Sequence, residues 1–290
     1  MRKQFFYICF LLCCNACTKN DAPAATQDFN KQPSSAAVLP GNLDEASGIA
    51  DSKANPGHLW VQEDGGNPSQ LFLLSYTGEL KKRLRLKGVE NRDWEDIAVA
   101  RGPEPGRNYI YIADIGNNNL ASTKYFIYRF AEPPASADTV YEYDKISFRY
   151  PDGNHDAEAL LVDNTSKDIY IITKEDSLSG VYSLPYPQAI GVTDDARLIG
   201  KLPFNGVVSA AFSPKGDEIL IKTYTDIYYW RIGTNGSIRQ VMNKAPVKLP
   251  YQPEPQGEAI TFKNDNSGFF TLSERPRFIQ DVKLFFYLRN

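Results

Sequence analysis

From Leu43 onward the chain is a succession of short apolar or alternating runs broken by Gly, Pro, Asn and Asp. Period-two alternation bounded by turn residues predicts strands, and few stretches carry the apolar spacing of a helix. Second-rank strands are expected at His58 to Asp64, Tyr109 to Asp114, Asp168 to Glu175, Glu218 to Thr223 and Gly268 to Glu274. Third strands follow at Gln70 to Ser75, Tyr125 to Phe130, Gly180 to Leu184, Asp226 to Ile232 and Asp281 to Leu288. Fourth strands fit Leu80 to Leu86, Asp138 to Tyr150, Arg197 to Leu202 and Ser237 to Leu249.

Ahead of each set stands a recurring element: Asp44-Glu45-Ala46-Ser47-Gly48-Ile49, Asp93-Trp94-Glu95-Asp96-Ile97-Ala98, Asp156-Ala157-Glu158-Ala159-Leu160-Leu161 and Gly257-Glu258-Ala259-Ile260-Thr261-Phe262. Val208-Ser209-Ala210-Ala211-Phe212 is a degenerate copy in which Ser209 replaces the Glu, and the spacings are 50, 63, 51 and 49 residues. Four antiparallel strands every ~50 residues predict an all-β propeller, in which radial repetition leaves few open sheet edges. Five blades are expected, and the spacing of 63 leaves room for a sixth. The last blade lacks a fourth strand of its own, which the apolar stretch at Ala37 to Leu39 can supply, closing the ring. A β-sandwich is the competing fold, but it has no need of a recurring Glu.

The chain has 290 residues, with 20 Gly, 19 Pro, 17 Tyr and 16 Phe, a composition that argues against a helical bundle. Net charge is −3, so no basic field attracts nucleic acid. All four cysteines (Cys9, Cys13, Cys14 and Cys17) precede residue 18, which excludes disulfide and thiol chemistry from the body of the protein. Arg2 and Lys3 followed by the apolar run Phe5 to Cys14 read as an export signal, too short to span a bilayer of ~30 Å. Cys14-Asn15-Ala16-Cys17 resembles a bacterial lipobox, although an aliphatic residue is usual where Cys14 stands. The expected organisation is a signal peptide over 1–16, lipidation at Cys17, a flexible tether over 17–37 and one propeller domain over 38–290. The protein is thereby expected in the cell envelope, held to a membrane by its lipid and facing the periplasm or the exterior.

In a propeller the innermost strands line a central channel, and the start of one strand lies beside the end of its antiparallel neighbour. Glu45, Glu95, Glu158 and Glu258 are therefore expected to ring one mouth, with Asp64, Asp114, Glu175 and Glu274 close behind. Facing carboxylates raise one another's pKa and need an offset: a cation, basic side chains such as Arg92, Lys174, Lys222 and Arg275, or backbone amides. Oxygen-rich ligation without sulfur suits Ca²⁺ or Mg²⁺, with Glu45, Glu95, Glu158, Glu258, Asp64 and Asp114 as candidate ligands. The alternative is that each Glu accepts main-chain hydrogen bonds and locks the ring, with Ser209 marking a gap where a ligand enters. Asn67 and Asn117, in the repeated pattern Asp-x-Gly-Asn, and His155 are further candidate ligand-binding residues, though turn formation accounts for the pattern too. No nucleophile elbow, phosphate loop or zinc spacing is present.

The elements Glu45-Ala-Ser-Gly-Ile, Asp93-Trp-Glu-Asp-Ile-Ala, Asp156-Ala-Glu-Ala-Leu and Gly257-Glu-Ala-Ile resemble those of a superfamily that includes the SdiA-regulated (YjiK-like) envelope proteins and the phytase-like esterases. The resemblance implies a propeller over Leu43 to Glu274; phytase-like relatives imply calcium at the channel mouth and phosphoester hydrolysis by metal-activated water. The chain is poor in the Lys and Arg that a polyphosphate would require there. Three functions follow: a lipid-anchored propeller that binds a cation or small polar ligand without turnover, a Ca²⁺-dependent phosphoesterase or lactonase, and a scaffold for an envelope protein or glycan.

Overall fold

Val, Ile, Leu, Tyr and Phe fill both faces of the inner strands, so each sheet must be covered on two sides. Sheets packed face to face around an axis meet that demand, and the computed structural model of the chain shows five of them. It describes residues 28–38, 43–174, 177–233, 236–276 and 282–290. The leader, Cys17 and Glu175 lie outside the described residues.

From the channel outward, blade one comprises Ala46–Asp51, His58–Glu63, Gln70–Ser75 and Leu80–Leu86. Blade two comprises Trp94–Arg101, Asn108–Asp114, Tyr125–Ala131 and Asp144–Arg149, and blade three Ala157–Val162, Ile169–Thr173, Gly180–Leu184 and Arg197–Lys201. Blade four comprises Val207–Phe212, Glu218–Thr223, Ile227–Arg231 and Val247–Leu249. Blade five is Gly257–Phe262, Gly268–Ser273 and Lys283–Leu288, completed by the N-terminal strand Ser34–Val38, which pairs antiparallel with Lys283–Leu288. The ring is thus closed by the two ends of the chain, as the missing fourth strand predicts. Phe29 precedes this strand and packs edge-on against Tyr229 and Phe269, so the fold draws on residues ahead of position 38.

The spacing of 63 conceals no sixth blade. The stretch Asp138 to Tyr150 divides in two: Thr139–Val140 runs parallel to Leu80–Leu86 of blade one, and Asp144–Arg149 is the fourth strand of blade two. Thr193–Asp195, from the next blade, adds in parallel to Asp144–Arg149. Each of these short strands covers a sheet edge of the preceding blade. Within the expected strand Ser237 to Leu249 a one-turn helix, Arg239–Asn243, intervenes; Val241 is buried from it between blades three and four.

Every innermost strand carries one irregularity at the same place. Ala46 pairs with Glu63 and Gly48 with Gln62; Trp94 with Asp114 and Asp96 with Ala113; Ala157 with Thr173 and Ala159 with Ile172; Val207 with Thr223 and Ser209 with Lys222; Gly257 with Ser273 and Ala259 with Leu272. One residue per blade, Ser47, Glu95, Glu158, Val208 or Glu258, is therefore extra. Such bulges twist the strand and re-aim the extra side chain, here at the upper mouth of the channel.

A carboxylate-rich channel mouth

The bulges set the true phase of the repeat. Glu95, Glu158 and Glu258 are equivalent, but their counterpart in blade one is Ser47, not Glu45, and in blade four Val208, not Ser209. Glu45 sits two residues outside the bulge, exposed, where Oε2 accepts 2.6 Å from Asn67 Nδ2. Ser209 belongs to the level below and donates to Asp96 Oδ1 at 3.2 Å, so it marks no gap. The residue after each second strand is Asp64, Ile115, Lys174, Tyr224 or Glu274; Ile115 is buried in the apolar core, and the other four stand near the recurring acids.

On one side of the mouth, carboxylate oxygens of Asp64, Asp93 and Glu95 all lie within 4.8 Å of one another. Gly116 and Gly65 make the space. A Cβ on Gly116 would stand 2.0 Å from Glu95 Oε1 and 2.5 Å from Asp93 Oδ2, and one on Gly65 2.4 Å from Asp93 Oδ1. None of the three carboxylates is paired with a Lys or Arg side chain among the described residues. Burial pushes Asp64 up to about 7 and Asp93 above the usual range. Glu95 is held well above it, first by burial and then by Glu158, Asp64, Asp93 and Asp156. Asp156 adds a fourth carboxylate at their side: its Oδ1 accepts 2.6 Å from Asn117 N, while Oδ2 is buried without a partner.

On the other side the acids are served by the protein. Lys174 Nζ donates to Glu158 Oε1 and lies 3.4 Å from Tyr224 Oη, which donates 2.6 Å to Glu258 Oε1. Against the cost of burial, the pair with Glu158 holds the Lys174 ammonium above its usual range. Glu274 accepts 2.9 Å from Gln256 Nε2; burial and then the Glu258 carboxylate push it up to about 9. Lys222, wholly buried behind Glu258, donates to Gly257 O, and burial lowers it to about 8.

The remaining candidates separate from the cluster. Asp114 is drawn to Arg92 Nε at 3.1 Å and Asp93 N at 3.2 Å, and Asp93 takes the place in the triad that the repeat reserved for it. Asn117 is spent on its own loop, bonding Ser122 and Tyr125. His155 lies among Tyr150, Tyr182 and Asp152, with Nε2 3.0 Å from Tyr182 Oη. Asp93 and Asp156 stand inside the recurring elements, yet only the bulge, which turns position −2 into a neighbour of the Glu, shows that they matter.

Below the mouth, Asp96 fills the channel waist. Oδ1 accepts from Ile97 N at 2.9 Å, and Oδ2 from Leu160 N at 2.9 Å and Ala210 N at 3.4 Å, joining blades two, three and four.

No protein-family model matches the chain, and no curated protein matches its sequence. Among solved structures, the PQQ-bound aldose sugar dehydrogenase of Streptomyces coelicolor is similar over 89% of this chain and 98% of its own, with a TM-score of 0.51 and 9% identity. A putative oxidoreductase (glucose dehydrogenase) of Thermus thermophilus is similar over 89% and 99%, with a TM-score of 0.49 and 8% identity. What the chain shares with the Streptomyces coelicolor enzyme is its fold.

Proposed function

We propose that the protein is a lipid-anchored propeller of a bacterial cell envelope that binds a divalent cation, calcium by preference, through Asp64, Asp93 and Glu95. The observation that carries this reading is the contrast between the two sides of the mouth. Glu158 and Glu258 have Lys174 and Tyr224, whereas no Lys or Arg side chain among the described residues is bonded to the triad, Arg92 and Lys174 reach Asp93 only through their field, and the orphaned Asp156 Oδ2 lies beside it. A hard cation with oxygen ligands relieves both the repulsion and the missing partner. Glu158 and Glu258 are occupied by internal donors, which favours binding over turnover. The lipobox-like Cys14 to Cys17 supports the anchor, and the recurring acidic elements support kinship with the SdiA-regulated and phytase-like propellers.

The test is thermal unfolding of the full chain in EDTA, then with excess Ca²⁺ or Mg²⁺. Calcium at about 100 times its Kd is expected to add about 2.7 kcal/mol to the folded state. The gain should vanish in Asp93→Asn. A midpoint indifferent to both ions, or a calcium shift that survives Asp93→Asn, overturns the assignment.

A further inference from the structure

The lower end of the channel has a different chemistry. There an open-ended cavity of about 50 Å³ is lined by the last residues of all five innermost strands together with Lys53, Asn164 and Asn264. A groove that adjoins it is lined by Lys53 and Arg101. We propose that this lower mouth is a binding site for a small oxyanion, held by Lys53, Arg101 and Asn164.

The two acids whose field reaches Lys53 take their hydrogen bonds from neutral donors, and neither accepts one from Lys53 Nζ. Glu132 Oε1 accepts from Ser52 Oγ, Lys53 N and Trp60 Nε1, and Oε2 from Ala54 N. Asp51 accepts from Tyr76 Oη at 2.8 Å and from Asn264 N at 2.6 Å. Lys53 Nζ donates to none of the described residues, and the side chain is half-buried. Lys263, at the same rim, is spent on Asp265 and Ser267 at 2.7 and 3.2 Å. Arg101 spends Nη1 on Gly106 O at 2.8 Å and leaves its other nitrogens without a described partner. Asn164 uses its oxygen to accept from Arg101 N at 3.0 Å, so its amide nitrogen remains a donor. Burial and then the like charge of Arg101 lower Lys53 more than Glu132 and Asp51 raise it. An ammonium, a guanidinium and an amide N–H at one rim form a donor set to which an oxyanion brings the missing acceptors.

The full chain is titrated calorimetrically at neutral pH, in EDTA so that the upper mouth plays no part, with inorganic phosphate and separately with acetate. Saturable binding of at least one is expected, and the stronger of the two tells a tetrahedral oxyanion from a carboxylate. Lys53→Met and Arg101→Gln should each weaken it by at least about tenfold, and Lys263→Met by less than about twofold. Should Lys53→Met fail to fold, protection of Lys53 from reductive methylation by the anion in the wild-type chain, read by peptide mass spectrometry, replaces it. The proposal is overturned if neither anion saturates, if Lys53→Met binds as wild type, if Lys263→Met loses as much as Lys53→Met, or if the anion leaves Lys53 methylation unchanged. A failure here leaves the calcium test above unaffected, because the two mouths are read with different ligands.

Discussion

Asp96 shows how one side chain can serve several blades. The inner edge of each innermost strand turns backbone N–H groups toward the channel, where no further strand can pair with them, and unpaired buried donors are costly. Asp96 accepts three of these from three blades and adds Ser209 Oγ. Asp96→Asn sets an amide donor against one of those N–H groups, and a loss of about 1–3 kcal/mol is expected by urea unfolding. Its pH dependence has a definite sign. Burial raises Asp96 from 3.8 to about 8, so the folded state holds this proton more tightly than the unfolded chain. Its contribution to stability is therefore full below about pH 4 and falls as pH rises toward 8. Unfolding free energies measured in EDTA between those limits should decline with pH less steeply in Asp96→Asn than in the wild-type chain.

The bulge is the element that converts a repeated sequence into a site. Without it, Glu95, Glu158 and Glu258 would alternate with their neighbours between the two faces of a flat strand. The loops after the second strands matter equally, because Gly65 and Gly116 leave room for the carboxylates of Asp93 and Glu95. Gly116 has no positive φ, so Ala is tolerated by the backbone while its methyl displaces the two acids. Gly116→Ala should lower calcium affinity by at least about tenfold in a titration, with stability in EDTA changed by less than about 1 kcal/mol. Equal affinity in the variant would remove Glu95 and Asp93 from the ligand set. The recurring Glu of blades two, three and five is legible in the sequence, whereas the sequence pattern puts Glu45 in line with them although it stands two residues out of phase. Short degenerate repeats do not reveal where an extra residue enters a ladder, since a bulge changes pairing without changing composition.

At the scale of the whole molecule, stability depends on ring closure. Blade five borrows Ser34–Val38 from the other end of the chain, and Phe29 anchors that strand by packing against blades four and five with Arg289 over its ring at 4.6 Å. Phe29→Ala is expected to cost about 3–5 kcal/mol in denaturant unfolding. If closure holds the ring as a unit, the transition remains single with a lower midpoint; an unchanged midpoint would make the N-terminal segment dispensable.

Strand identity and ring closure were written in the order of residues, because period-two patterning and turn chemistry act locally, whereas the choice of five blades over six waited on the pairing of Thr139–Val140 and Asp144–Arg149. The acidic character of the mouth was legible for the same reason. Which acids meet was decided only in three dimensions. Asp64, Asp93 and Glu95 come from two blades, Lys174 and Tyr224 from two others, and Asp96 joins three. Angstrom-scale differences in register separate a carboxylate that has a partner from one that lacks it, and register is a property of the assembled sheets.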